Sequence, residues 1–180
     1  MTHKITNWCM SFSFENAKNN DIKKTFDFCC DNGIAAMETY YKDGPKKGES
    51  IFGNLDNTSQ NEFNNHYDAL NKKDIKPKQI LSMEDLRYRV KKDDIIYARK
   101  GCNEILGKGT VTKPYYNDES VFNECDIKGI HWPHMFGVTW EEYSRDVKLS
   151  SGIRGRILFE LDVDSKTMSY SDAAKQILKK

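Results

Sequence analysis

Between Asp93 and Trp140 the chain reads DDIIYARKG, EILGKGTVTKPYYND and HWPHMFGVTW in close order. Short β-branched and aromatic runs alternate with turn residues, the pattern of successive strands. Ile95, Ile96 and Ala98 make a buried strand, Gly101 turns it, and 105–112 runs back as the next. Tyr115 and Tyr116 follow in a loop after Pro114, and a third strand opens at His134 and closes at Trp140. The segment holds no grouping that catalysis needs, and it has the look of a recognition module.

The flanks supply helices. Residues 5–14, ITNWCMSFSF, read as a first strand. Asp21 is an N-cap for a short helix carrying Ile22, Phe26, Cys29 and Cys30 on one side, and Asn32-Gly33 ends it. Ile34 to Met37 is a buried strand or a turn. The stretch 42–59, KDGPKKGESIFGNLDNTS, is dense in Gly, Lys, Asn and Asp, and predicts a mobile loop. Helices follow near 60–72 (Phe63, Tyr67, Leu70) and 78–90 (Ile80, Leu81, Leu86, Val90), separated by Pro77. The second takes Ser82 as its cap, with Glu84 and Asp85 in its first turn. A last strand over 153–163 precedes a helix capped by Ser171, with Ala174, Ile177 and Leu178 inward. Strands dominate the middle and helices the ends. That is an α+β class, with a curved or barrel-like antiparallel sheet and a β-rich core at 93–163.

A chain of 180 residues is one domain, 1–180, able to bury a real core. Its 28 basic and 27 acidic residues leave a net charge of +1, which excludes a globally polycationic binder. Any nucleic-acid surface must be a local patch. No run approaches the roughly 18 apolar residues of a membrane span, and the start lacks a secretory apolar segment, so the expected location is the cytoplasm. Cysteines 9, 29, 30, 102 and 125 form no zinc-type spacing and read as reduced, buried thiols.

Three catalytic patterns fail. LGKG at 106–109 has the wrong glycine spacing for a phosphate loop and continues into a strand, not a helix. Asp162, Asp164 and Lys166 lack the upstream acidic residue that a nuclease metal site needs. His131 and His134 lie three apart on an extended segment and do not converge as helical ligands would. The reading is a binding domain, not an enzyme, with neither metal nor cofactor.

A binding constellation remains. Basic residues concentrate from Lys72 to Lys113, among them Lys78, Arg87, Arg89, Lys91, Lys92, Arg99, Lys100 and Lys108. Tyr88, Tyr97, Tyr115, Tyr116, Trp132 and Trp140 interleave with them. Phosphate contacts need local cationic density, and exposed bases need π-faces on which to stack.

The order of Asp94, Ala98, Lys100, Gly101, Ile105, Leu106, Gly107, Gly109, Val111, Thr112, Tyr115, Tyr116, Asp118, His134, Val138 and Trp140 resembles the EVE domain. EVE is a PUA-like relative of the YTH readers of methylated RNA. The likeness is closer to the version at the N-terminus of McrB-type restriction proteins. Asp93 stands where that pattern has Gly, and NWCMSFSF is similar to the first EVE strand. Relatives often carry Ile-Gly-Trp where this chain has Ile34-Ala35-Ala36-Met37.

The resemblance implies a PUA-like partly open barrel flanked by helices. It implies a specificity domain that flips a modified base, methylcytosine or methyladenine, out of DNA and into an aromatic pocket. Trp8, Ser11, Met37, Tyr40, Tyr41, Tyr115 and Tyr116 would line that pocket, while Arg87, Arg89, Arg99, Lys100 and Lys113 would hold phosphates. Partners would be a fused AAA+ GTPase and a nuclease subunit, with the chain an N-terminal piece of a larger protein or a free-standing reader. The alternatives are a YTH-type reader of single-stranded RNA and a PUA-like module for small molecules or proteins.

Overall fold

The computed structural model describes residues 3–13, 17–37, 50–68, 77–125, 132–147, 157–165 and 168–178. Among the described residues six strands form one sheet: β1 (Asn7–Ser11), β2 (Ile34–Met37), β3 (Ile95–Lys100), β4 (Glu104–Asn117), β5 (His134–Asp146) and β6 (Leu158–Glu160). Their order is β2-β5-β4-β3-β1-β6. The described residues also form four α-helices: α1 (Asn19–Asp31), α2 (Gln60–Asp68), α3 (Pro77–Glu84) and α4 (Met168–Ile177). A π-helical turn, Asp85–Arg89, continues α3.

The architecture is α+β, but the sheet is mixed rather than antiparallel. β1 runs parallel to β3, with Trp8 opposite Ile96, and antiparallel to β6. A parallel neighbour needs a long crossover, and α1, β2, α2 and α3 all lie in it. The sheet ends in two edges, β2 and β6, and does not close into a barrel among the described residues.

Period-two alternation assigns side chains to two cores, one on each side of the sheet. Trp8, Met10, Ile96, Ala98, Val111, Phe136 and Val138 pack into a large cluster with α1, β2, α2 and the α3 turn. Cys9, Tyr97, Ile105 and Phe159 face the other way, against Ala173, Ala174 and Ile177 of α4. Asp94, fully buried, ties the start of β3 to the segment leading into β1. Its Oδ1 meets His3 Nε2 (2.8 Å) and the Thr6 N–H (2.9 Å), and its Oδ2 accepts Trp8 Nε1–H and the Lys91 N–H (2.9 Å each).

Glycines on β4 and β5 serve close packing. A Cβ at Gly107 would collide with the Phe26 ring of α1, and one at Gly109 would meet Val138, Trp140 and the Thr139 carbonyl. LGKG is therefore a flat seat for α1 and Trp140.

Several local expectations need correction. Asp21 is not the N-cap of α1 but its third residue, reaching back to the Lys18 N–H at 3.1 Å. Asn32 and Gly33 (φ +63°) do terminate α1. Ser82 is a buried interior residue of the helix, because its hydroxyl bonds Lys78 O (2.8 Å) and accepts the Ile157 N–H (3.1 Å). Ser171 likewise sits inside α4, donating to Val163 O. Tyr115 and Tyr116 belong to β4, which runs well past 112 because β5 continues to pair with it. Of the expected loop 42–59, residues 42–49 lie outside the described residues, and Ile51, Phe52 and Leu55 are buried. Residues 153–156, His131 and Leu70 also lie outside the described residues.

Candidate functional site

Among the described residues, those expected to line a pocket are mostly interior. Trp8 is 1% exposed, with its indole N–H spent on Asp94. Met37 is buried at the end of β2, opposite His134. Tyr115 is buried too, its hydroxyl 2.9 Å from His134 Nδ1 and the two rings stacked at 6.0 Å. Burial pushes the Tyr115 hydroxyl well above the ordinary tyrosine range. Ser11 is half-buried, its hydroxyl accepting the Ser13 N–H. Tyr116 is half-buried under Lys113, whose ammonium lies 3.6 Å from the ring centroid. Tyr40 and Tyr41 lie outside the described residues. Trp8, Met37 and Tyr115 are buried in this structure and do not form an open cage.

The expected phosphate contacts are corrected for the same reason. Arg87 donates to the carbonyls of Leu55 and Asp56 (2.8 Å each) and lies 5.0 Å from the Tyr88 and Tyr115 ring centroids. Arg89 pairs with Asp85 and Glu160 across the face of Trp8. Burial works against its charge, but those two carboxylates outweigh it and raise its pKa. Arg99 is 4% exposed and donates to Gly101 O at 2.6 Å. Lys100 pairs with Glu104 at 2.9 Å. These cations are consumed in folding. Lys91, Lys92 and Lys113 remain exposed.

The cysteines offer no activated thiol in the core. Burial lifts Cys9 to about 12 and drives Cys29 upward, while half-buried Cys30 rises to about 11, first through burial and then through Asp27 and Asp31. Asp162 accepts the Asp164 N–H at 2.9 Å, a local turn. No group of three metal-ligating side chains occurs among the described residues.

What the geometry does build is a cleft of about 620 Å³ over the 50–59 loop and α2. Phe52 and Phe63 stack within 5° of parallel at 6.0 Å, and Tyr67 tilts against both, at 4.8 and 4.5 Å. Asn54, Asn57, Thr58, Glu62 and His66 form its polar rim. The loop is braced from beneath. Arg87 holds Leu55 and Asp56, the Tyr88 hydroxyl donates to Thr58 O (2.9 Å), and the Asn117 N–H donates to Asp56 Oδ1 (3.0 Å). His134 meets Phe52 edge-on at 6.2 Å. Ser59 and Glu62 form a reciprocal cap at the start of α2, which lowers the Glu62 pKa.

Composition hid this cleft behind a polar loop. The signal was Ile51-Phe52 and Leu55, apolar residues placed in that loop eight to sixteen positions ahead of the Phe63 and Tyr67 pair on one helix face.

No family model matches the chain, and no curated protein or solved structure is similar to it.

Proposed function

We propose that this chain is a DNA-recognition domain that reads a modified base, methylcytosine or methyladenine, presented out of the duplex. The observation that carries the reading is the ordered signature from Asp94 to Trp140, whose residues fall on β3, β4 and β5 or immediately beside them. These strands are adjacent in the sheet, so residues scattered over the sequence share one scaffold. Extrusion of a base costs a few kcal/mol, which stacking and edge contacts in a pocket offset. On this reading the domain supplies specificity, and a motor and a nuclease supply the chemistry.

Exposed Lys91, Lys92 and Lys113 are the phosphate contacts in this proposal, replacing arginines already paired within the fold; Lys91 also donates to Tyr88 O at 2.7 Å. Titrating duplexes with and without a methylated base, at several salt concentrations, tests it. Tighter binding of the modified duplex is expected. Three phosphate contacts predict a slope of log K against log salt of about −2.7. Equal affinity for both duplexes overturns the reading.

A further inference from the structure

The geometry points to the cleft between the 50–59 loop and α2 as the seat of a single nucleobase with an exocyclic amine beside a ring nitrogen, adenine or cytosine. This rests on the proposed base-reading role and assigns it to residues that the family resemblance did not mark.

Shape is the first argument. A volume of about 620 Å³ lies within the usual small-ligand range and leaves room for a nucleoside. Phe52, Phe63 and Tyr67 close its floor at 5%, 1% and 6% exposure, so a flat ring meets a compact apolar base rather than an open ring face. Charge is the second. Among the described residues the lining holds neither Lys nor Arg, and Glu62 places a carboxylate on the rim, which disfavours phosphate there. Glu62 already accepts the Ser59 N–H at 2.8 Å and the Ser59 hydroxyl at 2.6 Å, so it is engaged with the helix start rather than with an incoming cation.

The rim supplies the third argument. Asn54, Asn57 and Thr58 offer neutral donors and acceptors around an apolar floor. A carboxamide presents a donor and an acceptor side by side, which complements an amine next to a ring nitrogen. Asn54 already uses Oδ1 on the Asp56 N–H (2.8 Å), so the paired donor and acceptor fall to exposed Asn57, and Asn54 adds a donor. The fourth argument is preorganisation. Arg87, Tyr88 and Asn117 hold the loop through bonds from outside it, so binding does not have to order the loop.

The test follows backbone and side-chain amides of labelled protein by NMR during titration with adenosine, cytidine and uridine. Shifts confined to residues 52–58 and 62–67 are expected for adenosine and cytidine, with uridine weaker. Asn57 and His66 are both exposed, so Asn57→Ala and His66→Ala leave the fold intact. Each is expected to weaken nucleoside binding about tenfold. Shifts elsewhere, or undiminished binding by both variants, overturn the inference. A modified duplex that binds preferentially without moving the cleft amides sinks the cleft while sparing the base-reading role. Nucleosides that move the cleft amides, with duplexes bound regardless of methylation, spare the cleft and sink that role.

Discussion

Asp94→Asn is the substitution that probes the fold most sharply. The carboxylate is fully buried and takes four donors, two on each oxygen: His3 and the Thr6 N–H on Oδ1, Trp8 Nε1–H and the Lys91 N–H on Oδ2. Asparagine keeps the shape but one acceptor oxygen. Turned towards Trp8 and Lys91, its NH₂ faces two N–H donors; turned towards His3 and Thr6, it faces one N–H and a ring nitrogen that can accept in its other tautomer. One to two hydrogen bonds to a charged group are lost, at about 1.5–3 kcal/mol each, the remaining ones lose their charge assistance, and buried donors are left without partners. The expected loss is therefore about 3–5 kcal/mol, a large part of the 5–15 kcal/mol that holds a typical domain together. Urea unfolding followed by tryptophan fluorescence reads it directly. With an m-value near 2 kcal/mol/M the midpoint falls by roughly 1.5–2.5 M. His3 is largely solvated on its side chain (41% exposed), so His3→Ala is the control and costs under about 1 kcal/mol. A loss below about 1 kcal/mol for Asp94→Asn refutes the argument, because it means the four donors find other partners.

Two further outcomes are expected. Gly107→Ala pushes a methyl group into the Phe26 ring and lowers stability by about 1–3 kcal/mol, measured by thermal melting; an unchanged Tm shows that α1 is not seated on that glycine. Alkylation of the native protein at pH 8, mapped by mass spectrometry, leaves Cys9 and Cys29 untouched. Cys30 reacts slowly, gaining about tenfold per pH unit towards 11 because the thiolate is the reactive form; a pH-independent rate at Cys30 contradicts this.

The strands were legible where their signal is local. Ile96, Ala98, Val111 and Val138 alternate with outward or opposite-facing residues, and Asn32-Gly33 stops a helix by its own turn chemistry. The pairing of β1 with β3 was not legible, because nothing in NWCMS states which way a strand some ninety positions later will run. The arginines were misread for a similar reason. Arg87 finds its carbonyls 31 and 32 residues upstream and Arg89 finds Glu160 71 residues downstream, so a stripe that looks like a phosphate grip is satisfied from within. Sequence density of charge records where cations sit along the chain, and only the fold decides which of them still face water. The cleft was missed because Phe52 and Leu55 owe their burial to Phe63, Tyr67 and Arg87, none of them neighbours in sequence.

The position of β1 also sets a timetable. It lies between β3 and β6, so both of its neighbours in the sheet are made long after it is. On the ribosome, Trp8 must wait for Ile96, 88 residues later, which at 5–20 residues per second is roughly 4–18 s. During that interval Trp8, Cys9 and Met10 emerge as an apolar strand with both edges open. Newly made chains are then exposed to misassembly or chaperone capture at residues 7–11, and β1 is enclosed only once β6 has been made.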